Sequence, residues 1–176
     1  MKDRTKLALA KALQELLNTK SLDEVRVSEL CSRCNLQRQS FYYHFQDKYD
    51  LVAWIFLQDF SAGFSANGYR LSQACIVDIL RRAYEKKEFY LRVLADRSQN
   101  IPLLYIHDYI YEFSLDLFRR RDGVEELPDS LCVKSQLLIY GSMGVVYEWL
   151  KDQIHASPEE LASLIFELVP PDMLHT

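Results

Sequence analysis

The sequence predicts an all-α protein with a small helix-turn-helix head and a larger helical body. Three observations carry that expectation. Apolar residues recur at helical spacing in nearly every segment. Five Gly and five Pro in 176 residues are too few for the many turns of an all-β fold. A hydrophobic share of 49% is enough for a packed core.

The elements follow in order. Leu9, Ala12, Leu13, Leu16 and Leu17 form one apolar stripe, so the chain opens with an amphipathic helix, for which Thr5 is the expected N-cap. Lys20-Ser21-Leu22-Asp23-Glu24 breaks it, and Leu22 and Val25 can fold back on the stripe. A short second helix turns Val27, Leu30, Cys31 and Cys34 inward. Asn35 stands at the next turn, where a left-handed residue is needed and Asn tolerates it. A third helix is expected from about Gln37 to Phe45, with Leu36, Phe41 and Phe45 on its buried side.

Asp47 caps the next helix, which carries Leu51, Trp54, Ile55 and Leu57 to about Phe64. Gly63 and Gly68 mark a loosening near its end. Helical spacing resumes from Ser72 to Asp96, broken near Lys86-Lys87-Glu88, and again from Ile101 to Arg121. Arg119-Arg120-Arg121 places cations at the negative end of that helix, before Gly123. Pro128 opens a helix to about Asp152. Ser157-Pro158-Glu159-Glu160 is a capping-box start for the last helix, and Pro170-Pro171 stops it.

Charge divides unevenly. Residues 1–50 carry nine Lys/Arg against seven Asp/Glu, and the remainder carries twelve against eighteen. A slightly basic end on an acidic body suits a small head that meets phosphates. The N-terminus lacks an apolar signal-peptide core, no run of eighteen apolar residues exists, and four Cys without a leader read as reduced thiols in a cytoplasmic protein.

The chemistry concentrates between Val27 and Lys48. Two short helices joined by a three-to-four-residue turn have helix-turn-helix proportions, and the second would lie in a major groove. Phe41 and Phe45 face one way. Arg38, Gln39, Ser40, Tyr42, Tyr43 and His44 cover the rest, with Gln37, Arg26 and Ser28 at the helix starts. Arg and Gln pair with guanine and adenine edges, whereas Tyr, Ser and His donate to phosphates. Lys48, opening the following helix, adds a cation beside that face. Cys31-x-x-Cys34 lacks a second pair of ligands at zinc-finger spacing, so small-residue packing is its reading and no metal is expected. His44 lies on the recognition helix, where phosphate contact outweighs catalysis. No glycine-rich phosphate loop or nucleophile with its base is present, so neither an enzyme nor a cofactor is expected.

The run Ser40-Phe41-Tyr42-Tyr43-His44-Phe45, followed by Asp47-Lys48 and Leu51, resembles the TetR family of transcriptional regulators over roughly residues 5–52. That resemblance implies a nine-or-so-helix protein with a three-helix head and a dimerising body that often binds an effector. Asn35 replaces the family's usual turn Gly, Gln37 its usual Ser or Thr cap, and Arg26 a common Thr. The run from Tyr140 to Leu150, with Ser157-Pro158-Glu159-Glu160-Leu161, is similar to a subgroup that includes activators of dihydroxyacetone kinase operons. In that subgroup a partner protein is implied as effector.

The expected organisation is therefore a DNA-binding head, residues 1–50, and a dimerisation and regulatory body, residues 51–176. Double-stranded DNA, a second copy of the chain and an unidentified small-molecule or protein effector are the expected partners, with no membrane. Tyr140, Gly141, Gly144, Val145 and Trp149 are the expected dimer strip, because Gly141 and Gly144 would let another helix approach closely. Tyr84, Tyr105, Tyr109 and Trp149 are candidates for an effector cavity, with ordinary core packing as the alternative. His107 is either a pocket residue or a half-exposed helical histidine.

Overall fold

The computed structural model describes residues 2–95 and 101–174. Among them are nine α-helices and no strand. The helices are α1 Lys2–Leu17, α2 Val27–Arg33, α3 Arg38–Tyr42, α4 Lys48–Ala66 and α5 Gln73–Glu85, then α6 Lys87–Leu94, α7 Ile101–Asp122, α8 Asp129–Leu150 and α9 Pro158–Glu167. A 3-10 turn, Pro171–Met173, follows. No helix among the described residues is long and apolar enough to cross a membrane. The chain divides into two compact units, one of residues 1–56 with 88–106, the other of residues 57–87 with 107–176.

In the first unit α1 packs on α2, and α2 on α3. The α1 stripe Leu9, Ala12, Leu13, Leu16 and Leu17 is buried, and so are Leu22, Val25, Leu30, Cys31, Phe41 and Phe45. Helix α1 starts at Lys2, so Thr5 lies inside its first turns and is not its cap. Lys2-Asp3-Arg4 tolerates helix well enough to extend it backward. Cys34 is only half-buried, because it stands at the C-cap of α2 rather than on its inner face. Burial pushes both the Cys31 and Cys34 thiols above the usual range, which makes them poor nucleophiles.

Residues 88–106 belong with this unit for a polar reason as well as an apolar one. The Arg92 guanidinium donates to the Leu17 carbonyl at 2.7 Å, which closes the C-terminal end of α1. Tyr90 is buried against Phe56, ring centroids 4.6 Å apart.

Four helix ends share one device. Asn35, Gly68, Gly123 and Asp152 adopt φ of 53°, 64°, 67° and 59°. In each case the next residue's N–H reaches back five residues: Leu36 to Cys31, Tyr69 to Phe64, Val124 to Arg119, and Gln153 to Glu148. This is the Schellman closure of α2, α4, α7 and α8. Asn35 thus occupies the left-handed position expected of it.

In the second unit α5 packs along α9. Ser72 caps α5 by accepting from Cys75 N at 3.2 Å. Burial pushes the Cys75 thiol to about 12, so it stays protonated and inert. Ser157 and Glu160 form the reciprocal capping box of α9. The α5–α6 break falls at Lys86; Lys86 pairs with Asp59 and Lys87 with Asp152, each at 2.6 Å. The extension of α6 to Asp96 lies outside the described residues.

Gly63 does not loosen α4. A Cβ there would stand 2.5 Å from Ile79 Cγ1 and 3.3 Å from the Ile79 backbone nitrogen. α4 and α5 come close together there, and Ile79 is β-branched and stiff. Gly63→Ala should therefore lower stability by about 1–2 kcal/mol, the overpacking outweighing the better helix propensity of Ala. Urea denaturation of the variant checks this.

Candidate nucleic-acid interface

Helix α3 has five residues and is anchored from below. Phe41 is fully buried, its ring tilted against that of Phe45 at 5.8 Å, and Phe45 in turn meets Trp54 of α4 edge-on at a 5.9 Å ring separation. The helix is shorter than the Gln37–Phe45 span expected. Beyond Tyr42 the chain closes in a tight turn, Tyr43 N–H bonding Gln39, and His44 and Phe45 both bonding Phe41. Gln37 supplies no side-chain cap to α3, and Arg26 none to α2.

With Phe41 inward, helical geometry turns Gln39 and Tyr42 outward, and Arg38 on the flank is exposed beside them. Arg26, Ser28, Gln37, Arg38, Gln39, Tyr42 and Tyr43 are exposed, while Ser40, His44 and Lys48 are half-buried. Tyr42 keeps 50% of its surface and Tyr43 67%, a large exposure for aromatic side chains on a short helix. Arg38 Nη2 donates to the Tyr42 hydroxyl at 3.3 Å, one turn on, so the guanidinium is held over the outer face. The Tyr42 hydroxyl beside it pushes the Arg38 pKa further up, and the charge is permanent. Tyr43 packs edge-on against His44, 5.0 Å between centroids. A cation, amides, hydroxyls and an imidazole thus share one solvent-facing surface.

Directly behind this surface lies the start of α4. Asp47 Oδ1 accepts from Tyr49 N at 2.8 Å and Asp50 N at 2.9 Å, an N-cap as expected. The buried Asp50 reaches back to Gln46 N at 2.8 Å. Lys48 Nζ turns inward, donating to the carbonyls of Leu22 at 2.7 Å, Asp23 at 2.9 Å and Val25 at 3.2 Å.

Residues 9–55 match the family described as bacterial regulatory proteins, tetR family. Residues 72–170, more than half of the chain, match a TetR C-terminal family described as transcriptional regulator C-terminal region. The chain belongs to the TetR family of transcriptional regulators. Within that family it is similar to the dhaKLM operon transcriptional activator DhaS of Lactococcus lactis, 30% identical over 90 residues. That match covers 51% of this chain and 48% of the relative, so the chain spans about half the length of the curated relative it matches.

Solved structures agree on the TetR fold. A dihydroxyacetone kinase operon activator, DhaS, superposes with a TM-score of 0.53 at 22% identity over 93% of both chains. A TetR transcriptional regulator from Rhodococcus sp. RHA1 gives 0.58 at 18% identity, covering 96% of this chain and 95% of its own.

The other residues singled out in the sequence fall in separate places in this TetR-family chain. Tyr140, Gly141, Gly144 and Val145 lie exposed on α8. Trp149 does not join them at the surface: it is 3% exposed, and its indole N–H donates to the Ala156 carbonyl at 2.8 Å. Its ring lies 5.3 Å from that of Tyr84, which is itself half outside the core. Tyr105 is in the first unit, its hydroxyl donating to Asp47 Oδ2 at 3.0 Å; the carboxylate that accepts the bond pushes the Tyr105 pKa up. Tyr109 is half-buried on α7. Tyr84 and Trp149 are neighbours, whereas Tyr105 serves the α4 cap.

His107 is buried, not half-exposed. Its ring stacks on Tyr140 at 3.8 Å, and its Nδ1 lies 3.2 Å from Asp108 Oδ1. Arg119, Arg120 and Arg121 are paired with Glu112, Asp116 and Asp122. Arg92, Tyr105 and the inward turn of Lys48 escaped sequence reasoning. Each joins residues 23 or more apart in the chain, and no local pattern announces such a bond.

Proposed function

We propose that this protein is a sequence-specific DNA-binding regulator that acts as a homodimer on a roughly palindromic operator. The observation that carries the reading is the surface of α3: Arg38, Gln39 and Tyr42 are exposed while Phe41 is buried. Arg38 and Gln39 read base edges in the major groove. Arg26, Ser28, Gln37, Ser40, Tyr42, Tyr43 and His44 contact phosphates and set register. Lys48 supports that face through its carbonyl contacts.

Residues 1–50 serve DNA, and residues 51–176 serve dimerisation and regulation. Support for a second copy comes from α8 and α9. Val133, Leu137, Tyr140, Gly141, Gly144 and Val145 are exposed along one stripe of α8, as are Leu164 on α9 and Leu168 at its C-cap. A Cβ placed on Gly141 or Gly144 would meet nothing within 4 Å, so the stripe is open for a close helix approach. Two helices from each subunit, related by a two-fold axis, would cover both stripes. Two α3 helices then enter successive major grooves about one helical turn apart. Occupancy of the body alters the spacing of the two heads through α4. The likeness to DhaS, a transcriptional activator, favours activation as the sign, and the effector bound by the body is a small molecule or a partner protein.

Selection from a pool of random duplexes tests the reading. Wild-type protein should enrich an inverted repeat. Arg38→Ala or Gln39→Ala should relax base choice at one position in each half-site, at a cost of about 1–3 kcal/mol per contact. Recovery of duplexes with no shared sequence would refute the proposal.

A further inference from the structure

We infer that Lys48 is a positioning residue for the DNA-reading surface rather than a phosphate ligand. The inference rests on the DNA-binding reading and deepens it. An ammonium has three donors. Here its nitrogen stands 2.7, 2.9 and 3.2 Å from the carbonyl oxygens of Leu22, Asp23 and Val25. All three belong to the connector between α1 and α2, and a phosphate oxygen would have to displace one of them. The Val25 carbonyl is one peptide unit ahead of Arg26, the N-cap of α2, which offers no capping side chain. The start of α2 therefore lacks its usual local lock, and the Lys48 tripod supplies a distant one. Leu22 and Val25 are buried on the same connector, so the clamp fixes both its apolar and its polar side. Asp47, one residue earlier, caps α4. The base of the tripod is thus held still, and Arg26 and Ser28 are presented at a set distance from α3.

The test compares wild type with Lys48→Met, binding a fluorescein-labelled 30-base-pair mixed-sequence duplex across a salt series, far below both melting temperatures. A positioning lysine gives a line of log affinity against log salt that is parallel to wild type and lower by roughly tenfold. A slope shallower by about one unit would mean a lost phosphate contact, and would overturn the inference. A superimposable line would overturn it too, by showing that the clamp does not reach the interface. Acetylation of wild-type protein followed by mass spectrometry decides the matter even if Lys48→Met does not fold. Lys48 should react more slowly than the exposed Lys11, with or without the duplex. Labelling at the Lys11 rate, or protection of Lys48 by the duplex, would contradict the tripod. If wild type binds no duplex at any salt, the DNA-binding reading fails, while the labelling rate in free protein still judges the clamp.

Discussion

Replacing Phe41 by Ala should cost about 3–5 kcal/mol of stability, a large fraction of what a domain of this size has to lose. The side chain is completely buried, and its removal leaves a cavity against Phe45. Helix α3 has only five residues and no side-chain cap, so it has little stability of its own. It is held in place by what its inner face touches. The loss should therefore appear twice: as a lower urea midpoint, and as lost DNA binding at temperatures where the rest of the chain remains helical by circular dichroism. Phe41→Leu keeps an apolar anchor and should cost less than half as much.

A charge in the exposed stripe of α8 should have the second large effect. Leu137 is 70% exposed, and Leu168, the C-cap of α9, is 74% exposed. Large aliphatic side chains held this far into solvent, along a stripe with two glycines, signal an absent partner surface. Leu137→Asp costs the isolated chain little, because the side chain is already in water. In the proposed dimer it would bury an unpaired carboxylate, which is severely unfavourable. Sedimentation velocity should show a monomer at concentrations where wild type is a dimer. Operator affinity should fall about a hundredfold or more, since the second half-site is then no longer bound intramolecularly. A dimeric Leu137→Asp variant would move the interface elsewhere.

Most of the fold was legible because its determinants are local. The α1 stripe, the Asp47 cap, the Asn35 turn and the Ser157 capping box each lie within a few residues, and each appears where expected. Gly63 misled because a mid-helix glycine carries two meanings, looseness or close approach. Only the facing residue, Ile79, decides between them. The outward face of α3 was legible by the same local rule, since burying Phe41 and Phe45 dictates what remains outside.

The support of that face was not legible. Lys48 reads in the sequence as a cation for phosphate beside the recognition face, and only the fold brings three carbonyls to it from 23 to 26 positions earlier in the chain. Tyr105 looked like one more aromatic of a ligand cavity, yet its hydroxyl found Asp47, 58 residues away. Trp149 continued the α8 stripe in spacing, but its position near the helix end turned it into the core beside Ala156. Helical spacing sorts faces; it does not say which polar atom a long side chain will find.

On the proposed reading the α3 surface binds DNA, and phosphates supply most of the affinity. Fluorescence anisotropy of the intact protein with a labelled duplex recovered by selection, titrated from low to physiological salt, tests it most directly. Binding should be tight, with log affinity falling linearly and steeply with the logarithm of salt concentration, and Tyr42→Ala should weaken it on every duplex sequence alike. Absence of binding at low salt, or affinity indifferent to salt, would contradict that reading.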